Sequence, residues 1–460
     1  MYFQDTIAAI STPLGSSGIG MVRLSGNDAI NIANKVFVSP KGKKIGDDSH
    51  VVRYGYVVNP NTGNKIDEVL VSFMRAPLTY TREDVVEFNC HGGIIPLREV
   101  LSVLLMNGAR LAEPGEFTRR AFLNGRIDLA QAEAVIDIIN SRTEASLKAA
   151  MHQVQGALSE KINEIMEVVL DVLAQLEAAV DFSDEDVEIL PRVELGLKIN
   201  DVLQRVLVLL NEWESGRVLR DGVRTTIIGR PNVGKSSLLN ALLREKRCIV
   251  TSAPGTTRDV IEETISINGI PIIIHDTAGI RHPESEAEQM GVEFARKSLL
   301  EAELVLFVVD SSEHLGKEDV EIGKELKNKK AILVLNKSDL PKKLNKKELE
   351  DIYDFKKTTK ISATKGEGIK ELEEAMGNAV FSGGANFAEN VLLTNVRHKK
   401  SLVKTRDGLR ETQKALKENE SEEFVVVPLR DAAEGLGEII GKVTDEDLLD
   451  RIFSRFCIGK

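Results

Sequence analysis

The amino-acid sequence predicts a multidomain protein in which an α+β N-terminal domain precedes an α-helical domain, and an α/β domain is inserted into the helical one. The length of 460 residues supports this, since at about 150 residues per domain it corresponds to roughly three domains. The hydrophobic pattern also changes near residues 119 and 216, and the helical pattern resumes after residue 384. We therefore divide the chain into residues 1–118, 119–215, 216–384 and 385–460, with the second and fourth segments forming one helical domain.

The composition is that of an ordinary globular protein. Apolar residues make up 42% and charged residues 28%, which excludes a disordered or collagen-like chain. The net charge of −11 argues against a surface that binds nucleic acid throughout, although a local basic patch stays possible. The three cysteines, Cys90, Cys248 and Cys457, suit neither a disulfide framework nor a metal site. Without a signal peptide or a long apolar run, we predict a cytoplasmic protein that does not enter membranes.

The first segment mixes short β-rich runs with two helical stretches, which is typical of an α+β domain. Helices are predicted near Ala29 and Pro96. Strands are predicted at Met21–Leu24, His50–Val58, Val69–Met74 and Asp84–Asn89.

The second and fourth segments show helical periodicity. An apolar seam with alternating steps of four and three residues predicts one long helix that packs against a partner helix. Its members are Leu158, Ile162, Ile165, Val169, Val172, Leu176 and Ala179. A second helix runs to about Trp213. Near the C-terminus, Thr444 and Asp447 predict a capping box that opens the last helix.

The third segment alternates strands with helices, and its strands are short apolar runs of the kind found in a parallel sheet covered on both faces. These runs are Arg224–Ile228, Pro271–His275, Leu304–Val309 and Ala331–Leu335.

A phosphate-binding loop follows the first of these strands. Residues Gly229 to Ser236 fit the pattern G-x-x-x-x-G-K-S, and a helix start follows. Glycines let backbone N–H groups close around phosphate oxygens, Lys235 neutralises the β- and γ-phosphates, and Ser236 is a ligand for Mg²⁺.

Four further motifs follow in the order found in P-loop GTPases, and they predict a G domain. They are Thr256-Thr257, Asp276 to Gly279, Asn336 to Asp339, and Ser362-Ala363. Asp276 would hold Mg²⁺ through water, and Asp339 would accept from N1 and the exocyclic amine of guanine, which adenine cannot offer, so GTP is expected. Alternatively, Asn336 and Asp339 only cap a loop. The candidate GTP-binding residues are Asn232, Val233, Gly234, Lys235, Ser236, Ser237, Thr251, Ser252, Ala253, Pro254, Gly255, Thr256, Thr257, Asp276, Thr277, Ala278, Gly279, Asn336, Lys337, Asp339, Ser362 and Ala363.

The position that carries the water-orienting glutamine in Ras-like enzymes is Ile280 here. An apolar side chain cannot orient water, so another polar group must enter the site. An arginine finger contributes about 10³ to 10⁵ in rate elsewhere, and a positive group has to replace it, although Arg258 and Arg281 are also available.

Three motifs make the resemblance specific: Asn232 in the loop, the segment Thr251 to Asp259, and D-T-A-G from Asp276 to Gly279, with Glu288 twelve residues after Asp276. In these motifs the chain resembles the potassium-activated tRNA-modification GTPases called MnmE or TrmE. The resemblance implies that Asn232, Thr251, Ala253 and Thr256 surround K⁺, and that Thr257 joins Ser236 on Mg²⁺. It also implies that Glu288 orients water and acts with Lys235 in catalysis. Asn232 as a turn former and Glu288 as a solvated charge are the alternatives.

The resemblance extends to both ends of the chain, including Tyr80 to Gly93, Leu111 to Ala134 and Phe456 to Lys460. It implies that the N-terminal domain forms a homodimer and binds 5-formyltetrahydrofolate through Arg23, Glu87, Arg126 and Lys460. It also makes Cys457 a candidate catalytic or positioning group. From the residues alone, the arginines are ordinary surface residues and Cys457 is a buried, inert thiol.

The resemblance further implies a partner, the FAD-containing MnmG, with which the chain would place an aminomethyl or carboxymethylaminomethyl group on C5 of wobble uridine in tRNA. We expect tRNA to be contacted mainly by the partner. The basic clusters Lys41–Lys44, Lys327–Lys330, Lys342–Lys347 and His398–Lys400 are the local candidates for RNA contact, with a solvated face as the alternative. The rival classes are a ribosome-assembly GTPase that resembles Era or Der, and a folate-binding scaffold without GTP turnover.

Overall fold

The computed structural model describes residues 5–42, 44–45, 48–181, 190–246, 262–275, 298–327, 329–344, 355, 357–380 and 393–460. The chain divides into two compact units, Met1–Ile136 with Leu436–Lys460, and Asp137–Gly435. We describe each unit by itself. The four-segment division made from the sequence stays a prediction.

The first unit is built on a seven-stranded sheet with the order β3-β4-β5-β6-β2-β1-β7. All neighbouring strands in it are antiparallel except the pair β1 and β7. The strands are β1 Ile7–Ile10, β2 Ser17–Ser25, β3 Phe37–Val38, β4 Val51–Val58, β5 Lys65–Met74, β6 Val85–Gly92 and β7 Arg110–Leu111.

Two helices, α1 Ala29–Val36 and α2 Ile94–Met106, contribute to the core of this unit together with one face of the sheet. The core places Val22, Val71 and Phe88 from three strands against Leu97 and Val100 of α2. Burying apolar side chains on one face of an antiparallel sheet leaves the opposite face for other contacts. The two helices and four strands that the sequence predicts here are confirmed.

Further helices of the first unit form a smaller apolar cluster. Helices α3 Glu116–Leu123, α4 Leu129–Asn140 and α14 Glu446–Phe453 belong to it, although α4 continues into the second unit. Leu129 and Ala132 of α4 pack with Leu449, Phe453 and Phe456. This cluster brings the last residues of the described chain to the N-terminal unit.

The second unit contains the remaining helices. They are α5 Glu144–Val154, α6 Ala157–Asp181, α7 Arg192–Asn211, α8 Trp213–Asp221, α9 Lys235–Lys246, α10 Lys317–Glu325, α11 Ile369–Val380, α12 Val396–Lys417 and α13 Glu422–Ile440, whose end lies in the first unit.

The long helix predicted from the apolar seam is α6. Six of the seven seam residues are buried, and only Ala179 near the helix end is partly exposed. Helix α7 packs against both α6 and α12. The seam therefore faces partner helices as predicted.

The sheet of the second unit has the order β13-β12-β11-β8-β10-β9. Its strands are β8 Val223–Ile228, β9 Glu262–Ile267, β10 Ile270–His275, β11 Leu304–Asp310, β12 Ala331–Asn336 and β13 Thr358–Lys360. The four runs predicted from the sequence are parallel strands, which is confirmed. The antiparallel edge strand β9 was not predicted, although the Asn268-Gly269 turn that joins it to β10 is a strong hairpin signal.

One local prediction is wrong. The last helix is capped by Asp445 and not by Thr444, because the Asp445 carboxylate accepts from the backbone N–H of Leu448 at 2.6 Å. Asp has the same preference for this position as Thr or greater, so a sequence with both leaves the choice to the local backbone.

The fold class predicted from the sequence is confirmed: a mixed α+β unit, a set of long helices, and an α/β sheet between helices in the sequence. Within the described ranges, no helix is both long and apolar enough to cross a bilayer.

Candidate functional site

The loop between β8 and α9 is shaped by two glycines that have no room for a side chain. A Cβ at Gly229 would lie 2.3 Å from the carbonyl oxygen of Val308, and one at Gly234 would lie 2.2 Å from Nδ2 of Asn336. Both have positive φ angles, as does Asn232 at 62°. A backbone this close to its neighbours exposes N–H groups instead of side chains, which is what a phosphate requires. The residues present therefore fit the predicted nucleotide.

Lys235 is the first residue of α9, and its amine reaches back over the loop. Its Nζ donates to the carbonyl oxygens of Gly229 and Arg230, each at 2.8 Å. Ser236 and Ser237 follow in the first turn of the same helix. The positive end of a helix and an ammonium group thus meet at one place, as anion binding requires.

Asn336 connects this loop to the candidate base-binding loop. The side chain is 3% exposed, and its Nδ2 donates to the carbonyl oxygen of Val233 at 2.8 Å. Its Oδ1 accepts from the backbone N–H of Ala363 at 3.1 Å. Both halves of the buried amide are satisfied, and three separate segments are held by one side chain.

Lys337, directly after Asn336, adopts a φ of 59°. Its Nζ lies 2.5 Å from Oδ2 of Asp310 at the end of β11. Burial raises the pKa of Asp310, but hydrogen bonds from Lys337 and Ser312 outweigh it and leave the pKa below its ordinary value. This ion pair fixes the loop that carries Asp339.

Asp339 stands in this loop as a partly buried, ionised carboxylate. Its pKa lies below the ordinary value mainly because the Ser362 hydroxyl donates to it. Lys365 adds a weak contact at 3.8 Å. An ionised carboxylate held in place from one side can accept the two N–H donors of guanine from the other.

The two loops lie at one edge of the sheet. Strands β8 and β12 are both parallel to β11, and each ends directly before a predicted binding segment. In parallel α/β sheets, ligands bind outside the carboxyl ends of the strands. The structure therefore brings together Asn232, Val233, Gly234, Lys235, Ser236, Ser237, Asn336, Lys337, Asp339, Ser362 and Ala363.

The other predicted residues of the G domain lie outside the described residues. They are Thr251, Ser252, Ala253, Pro254, Gly255, Thr256, Thr257, Asp276, Thr277, Ala278, Gly279 and Glu288. Of the predicted K⁺ ligands, Asn232 is described, and of the predicted Mg²⁺ ligands, Ser236.

A second group of predicted residues meets in the N-terminal unit. Arg23 of β2 and Glu87 of β6 are directly opposite each other, and Arg23 Nε lies 2.8 Å from Oε1 of Glu87. Arg23 also donates to the carbonyl oxygen of Gly459 at 3.3 Å, and its guanidinium lies 5.6 Å from the ring centre of Phe117.

The segment Phe456 to Lys460 is held beside this pair by its backbone. The carbonyl oxygen of Lys460 accepts from the N–H of Phe117 at 3.2 Å, and Ile458 forms a bridge with Pro114. Gly459 has a φ of 92°, and a Cβ there would lie 2.7 Å from the carbonyl oxygen of Ile10. Lys460 is thereby placed next to the Arg23 contact.

Arg126 joins the same group through an aromatic ring. Its guanidinium lies 4.7 Å from the ring centre of Tyr80. Tyr80 in turn packs against the cluster that contains Phe117. The contacts of Tyr80 and Phe117 with these arginines are not predicted from the sequence, because an isolated aromatic residue does not show which cation it will meet.

A buried ionic cluster surrounds Arg120, which is 1% exposed, and no sequence motif indicates it. Arg120 bonds to Glu116 at 2.9 Å, to Asp5 at 2.8 Å and to Glu83 at 3.2 Å, and Arg110 bonds to Glu116 at 2.6 Å. Burial raises the pKa of Glu116, but the hydrogen bonds from Arg110, the Glu113 backbone and Arg120 leave it below its ordinary value. This cluster fixes the start of α3, which carries Phe117.

The two described cysteines differ in their surroundings. Cys90 is buried, and burial together with the nearby charge of Asp67 raises its pKa to about 12, so it is an inert thiol. Cys457 is exposed, so the alternative of a buried thiol is wrong for this residue.

The sequence relatives cover the whole chain. A family model described as "MnmE helical domain" matches residues 129–457, and one described as "GTP-binding protein TrmE N-terminus" matches residues 6–126. The tRNA modification GTPase MnmE of Alkaliphilus oremlandii is 46% identical over 100% of both chains. That of Thermoanaerobacter pseudethanolicus is 48% identical over 99% of both.

A solved structure is similar in sequence to part of the chain. Era of Aquifex aeolicus bound to GDP and AlF4⁻ is 31% identical, with coverage of 40% of this chain and 65% of that chain. Its TM-score is 0.27, which is too low to indicate a shared overall fold. The family assignment therefore comes from the sequence relatives.

Proposed function

The chain belongs to the MnmE family of tRNA modification GTPases, and on that premise we propose that it is a K⁺-activated GTPase acting on C5 of wobble uridine in tRNA. GTP hydrolysis, with Mg²⁺ as the ion of the nucleotide, follows from the family. Potassium, a folate one-carbon unit and an FAD-containing partner are the proposed parts. The observation that carries the proposal is that one chain holds both a guanine-type loop at Asp339 and a cationic site at Arg23.

The described residues account for nucleotide binding and charge compensation. The backbone around Gly234 and the Lys235 amine would hold the β- and γ-phosphates, and Ser236 would hold Mg²⁺, which compensates charge on the phosphates. Water attacks the γ-phosphorus while the bond to the bridging oxygen breaks, so GDP and phosphate are the products. Glu288 is proposed to orient this water in place of the glutamine that Ile280 replaces.

We assign K⁺ activation to Asn232, with Thr251, Ala253 and Thr256 as further ligands. The support from the structure is that Asn232 stands at the exposed tip of the loop with its backbone in the left-handed region. A monovalent cation there would supply positive charge where Ras-like enzymes use an arginine finger. Two copies of the G domain would enclose it, in a homodimer formed by the N-terminal units.

The potassium assignment is tested by GTP turnover in equal concentrations of KCl and NaCl. We expect at least about tenfold faster turnover in KCl, since an arginine finger supplies more than that. Asn232→Ala should remove the difference, while Asn240→Ala on the exposed side of α9 should keep it. Equal rates in both salts for the unaltered protein would refute the assignment.

We propose that the N-terminal unit binds 5-formyltetrahydrofolate through Arg23, Glu87, Arg126 and Lys460. Cations can pair with the glutamate tail, and a carboxylate can accept from the N3–H and 2-amino group of a pterin. The support is that Arg23, Glu87 and the Lys460 backbone meet around Phe117, and that Arg126 lies on Tyr80 of the same cluster. The two aromatic rings add apolar surface of the kind that ligand sites use.

Cys457 lies in the segment that closes this group, and we propose a catalytic or positioning role for its thiol. Its backbone carbonyl accepts from Gly115 at 3.4 Å, while its side chain is exposed. Cys457→Ser should therefore leave folding unchanged. A normal level of tRNA modification in this variant would exclude a role for the sulfur.

The proposed partners are a second copy of the chain, the FAD-containing MnmG and tRNA. Folate and flavin would carry the carbon chemistry, and GTP hydrolysis would drive conformational steps. The test is mass analysis of wobble uridines in tRNA from cells that lack this chain. Loss of the C5 substituent is expected. Unchanged uridines would refute the pathway and leave the GTPase activity in place.

A further inference from the structure

Helix α12 of the second unit carries an unusual excess of positive charge. Its 22 residues include eight Lys or Arg and two acidic residues, in a chain whose net charge is −11. Helix α6 of the same unit has six acidic residues and one basic residue, and α13 has five acidic and one basic. Charge is therefore segregated by helix and not mixed, as it is on an ordinary solvated surface.

Five of these cations form one stripe along the helix. They follow one another at steps of seven, four, four and three residues, which returns each to the same helix face. We call this set the basic stripe; its members are Lys399, Arg406, Arg410, Lys414 and Lys417. From Lys399 to Lys417 the stripe is about 27 Å long, at 1.5 Å per residue.

The basic stripe lies opposite the face by which α12 is packed. Leu402, Leu409 and Thr412 are fully buried, whereas Arg410 and Lys417 are exposed. An ion pair that joins α12 to α13 uses Lys404, which is not in the stripe, and Glu434 at 2.8 Å. One member of the stripe, Lys399, lies 4.8 Å from the ring centre of Trp213 in α8, and none of the five is among the buried residues of the helix.

The stripe has few acidic partners of its own. Arg406 contacts the adjacent Asp407, and Lys414 contacts Glu418 at 4.0 Å between largely exposed side chains. Among the residues that the structure describes, Arg410 and Lys417 have no ion pair. Like charges at four-residue spacing, such as Arg406 with Arg410 and Arg410 with Lys414, oppose helix formation.

The cations at the start of α12 also oppose helix formation. Its first turn has no acidic residue, and Arg397, Lys399 and Lys400 stand near the end where the helix dipole favours negative charge. Lys399 is accounted for in part by the ring of Trp213, whereas Arg410, Lys414 and Lys417 are not among the buried residues of α12. A ligand that supplies negative charge along the helix would explain why they are there.

We propose that the basic stripe binds the phosphate backbone of the tRNA substrate. This inference rests on the proposed function and names a second contact for the same substrate. Arg406, Arg410 and Lys414 follow one another at about 6 Å along the helix axis, which suits a row of phosphates, and phosphate contacts position a nucleic acid without reading its bases. Structured RNA is recognised largely by such backbone contacts and by shape.

An acidic protein surface is the competing ligand, and the composition of the stripe disfavours it. Protein interfaces are enriched in aromatic residues at their centre and depleted in lysine. Three of the five members are lysines, and the exposed side of α12 between Lys399 and Lys417 has no aromatic residue.

The test uses the full-length protein and a tRNA transcript with a wobble uridine, with binding measured by fluorescence anisotropy from 50 to 250 mM KCl. The variant is Arg410→Ala/Lys414→Ala/Lys417→Ala, since alanine favours helix. We expect at least about tenfold weaker binding, and a slope of log K against log salt that is smaller by about 2 to 3. GTP turnover should not change.

Two control variants separate the stripe from general charge effects. Lys317→Ala/Lys324→Ala/Lys370→Ala removes three exposed lysines from α10 and α11, and it should bind tRNA nearly as the unaltered protein does. Arg410→Lys/Lys414→Arg/Lys417→Arg keeps the charges and should keep the affinity. The proposal would be overturned if the two alanine variants weakened tRNA binding equally, or if the stripe variant did not weaken it.

A second measurement tests the competing ligand. If the stripe variant loses affinity for purified MnmG but not for the transcript, an acidic protein surface is the ligand and the proposal is wrong. Failure of the proposed function would look different, because wobble uridines would then be normal in cells without the chain. If modification is lost in those cells and the stripe variant binds RNA normally, the RNA-binding role of the basic stripe is refuted and the proposed function is not.

Discussion

The side-chain amide of Asn336 donates to the carbonyl oxygen of Val233 at 2.8 Å, across 103 positions of sequence. The same side chain accepts from Ala363 on a third segment. The phosphate loop and the two segments at the predicted base site are therefore held to one another by a single buried residue. A change at any of the three segments reaches the other two through Asn336.

Replacing Asn336 should weaken both nucleotide binding and the fold of the second unit. Asn336→Ala removes two hydrogen bonds and leaves the Val233 carbonyl and the Ala363 N–H without these partners, at about 1–3 kcal/mol for each. We expect the Kd for GTP to rise at least about tenfold, measured by titration calorimetry, and the melting temperature to fall. Lys370→Ala, an exposed control on α11 of the same unit, should change neither value by much.

Replacing Asp339 should change which base is bound. Asp339→Asn turns an acceptor into a group that also donates, so it meets the N1–H and amine of guanine with the wrong polarity. We expect GTP affinity to fall by at least about 100-fold, and xanthosine triphosphate, which has an oxygen at C2, to bind better than GTP. Competition with a fluorescent nucleotide measures both, and unchanged preference for GTP would contradict the base-binding role.

The ionic cluster around Arg120 should make the first unit sensitive to acid. Because Glu116 and Asp5 have pKa values below their ordinary values of 4.5 and 3.8, their contribution to stability is present above those values. It is lost as the pH falls through the lowered pKa of each group in the folded state. Urea unfolding at pH 7, 5 and 3 should show the loss below pH 5, and Glu116→Gln should show a smaller change with pH.

Removing the Arg120 cation should lower the free energy of unfolding more than neutralising the Glu116 carboxylate does. Arg120→Met leaves the buried Glu116 with Arg110 and the Glu113 N–H, and breaking a buried pair in this way costs about 3–5 kcal/mol. Urea unfolding at pH 7 measures this loss in the free energy of unfolding. Arg82→Met, at a largely exposed arginine of the same unit, is the matched control and should cost much less.

Substitutions at Arg23 and Arg126 should weaken folate binding and leave GTP binding normal. Arg23→Ala removes the partner of Glu87 and the contact with Gly459, and Arg126→Ala removes the cation over Tyr80. We expect each to raise the Kd for 5-formyltetrahydrofolate about tenfold or more, since hydrogen bonds to charged groups are worth about 1.5–3 kcal/mol. Arg98→Ala on the exposed side of α2 is the control, and GTP binding should be normal in all three.

The sequence predicts the parts of this protein that depend on local pattern. The strand runs, the long helix from its apolar seam, and the loop from Gly229 to Ser236 all follow from spacings of a few residues. The order of the motifs along the chain also predicts that they meet, because parallel strands carry their following loops to one sheet edge.

The parts it does not predict depend on contacts between distant residues. Arg23 meets the Gly459 carbonyl across 436 positions, and Arg126 meets Tyr80 through a ring that has no motif of its own. In the sequence, nothing distinguishes Arg120 from a surface arginine, although it is 1% exposed in the structure. Charge alone does not show which residues are buried together, since burial is decided by the packing of whole elements.

The backbone of residues 456–460 lies beside strands that begin near residue 7, and this has a consequence for synthesis. A ribosome adds about 5–20 residues per second, so the Gly459 carbonyl follows Arg23 by on the order of 20 to 90 s. During that interval the nascent N-terminal unit holds Arg23 and Phe117 without their final neighbours. Completion of this region therefore comes long after Arg23 is made, and chaperones have time to reach it first.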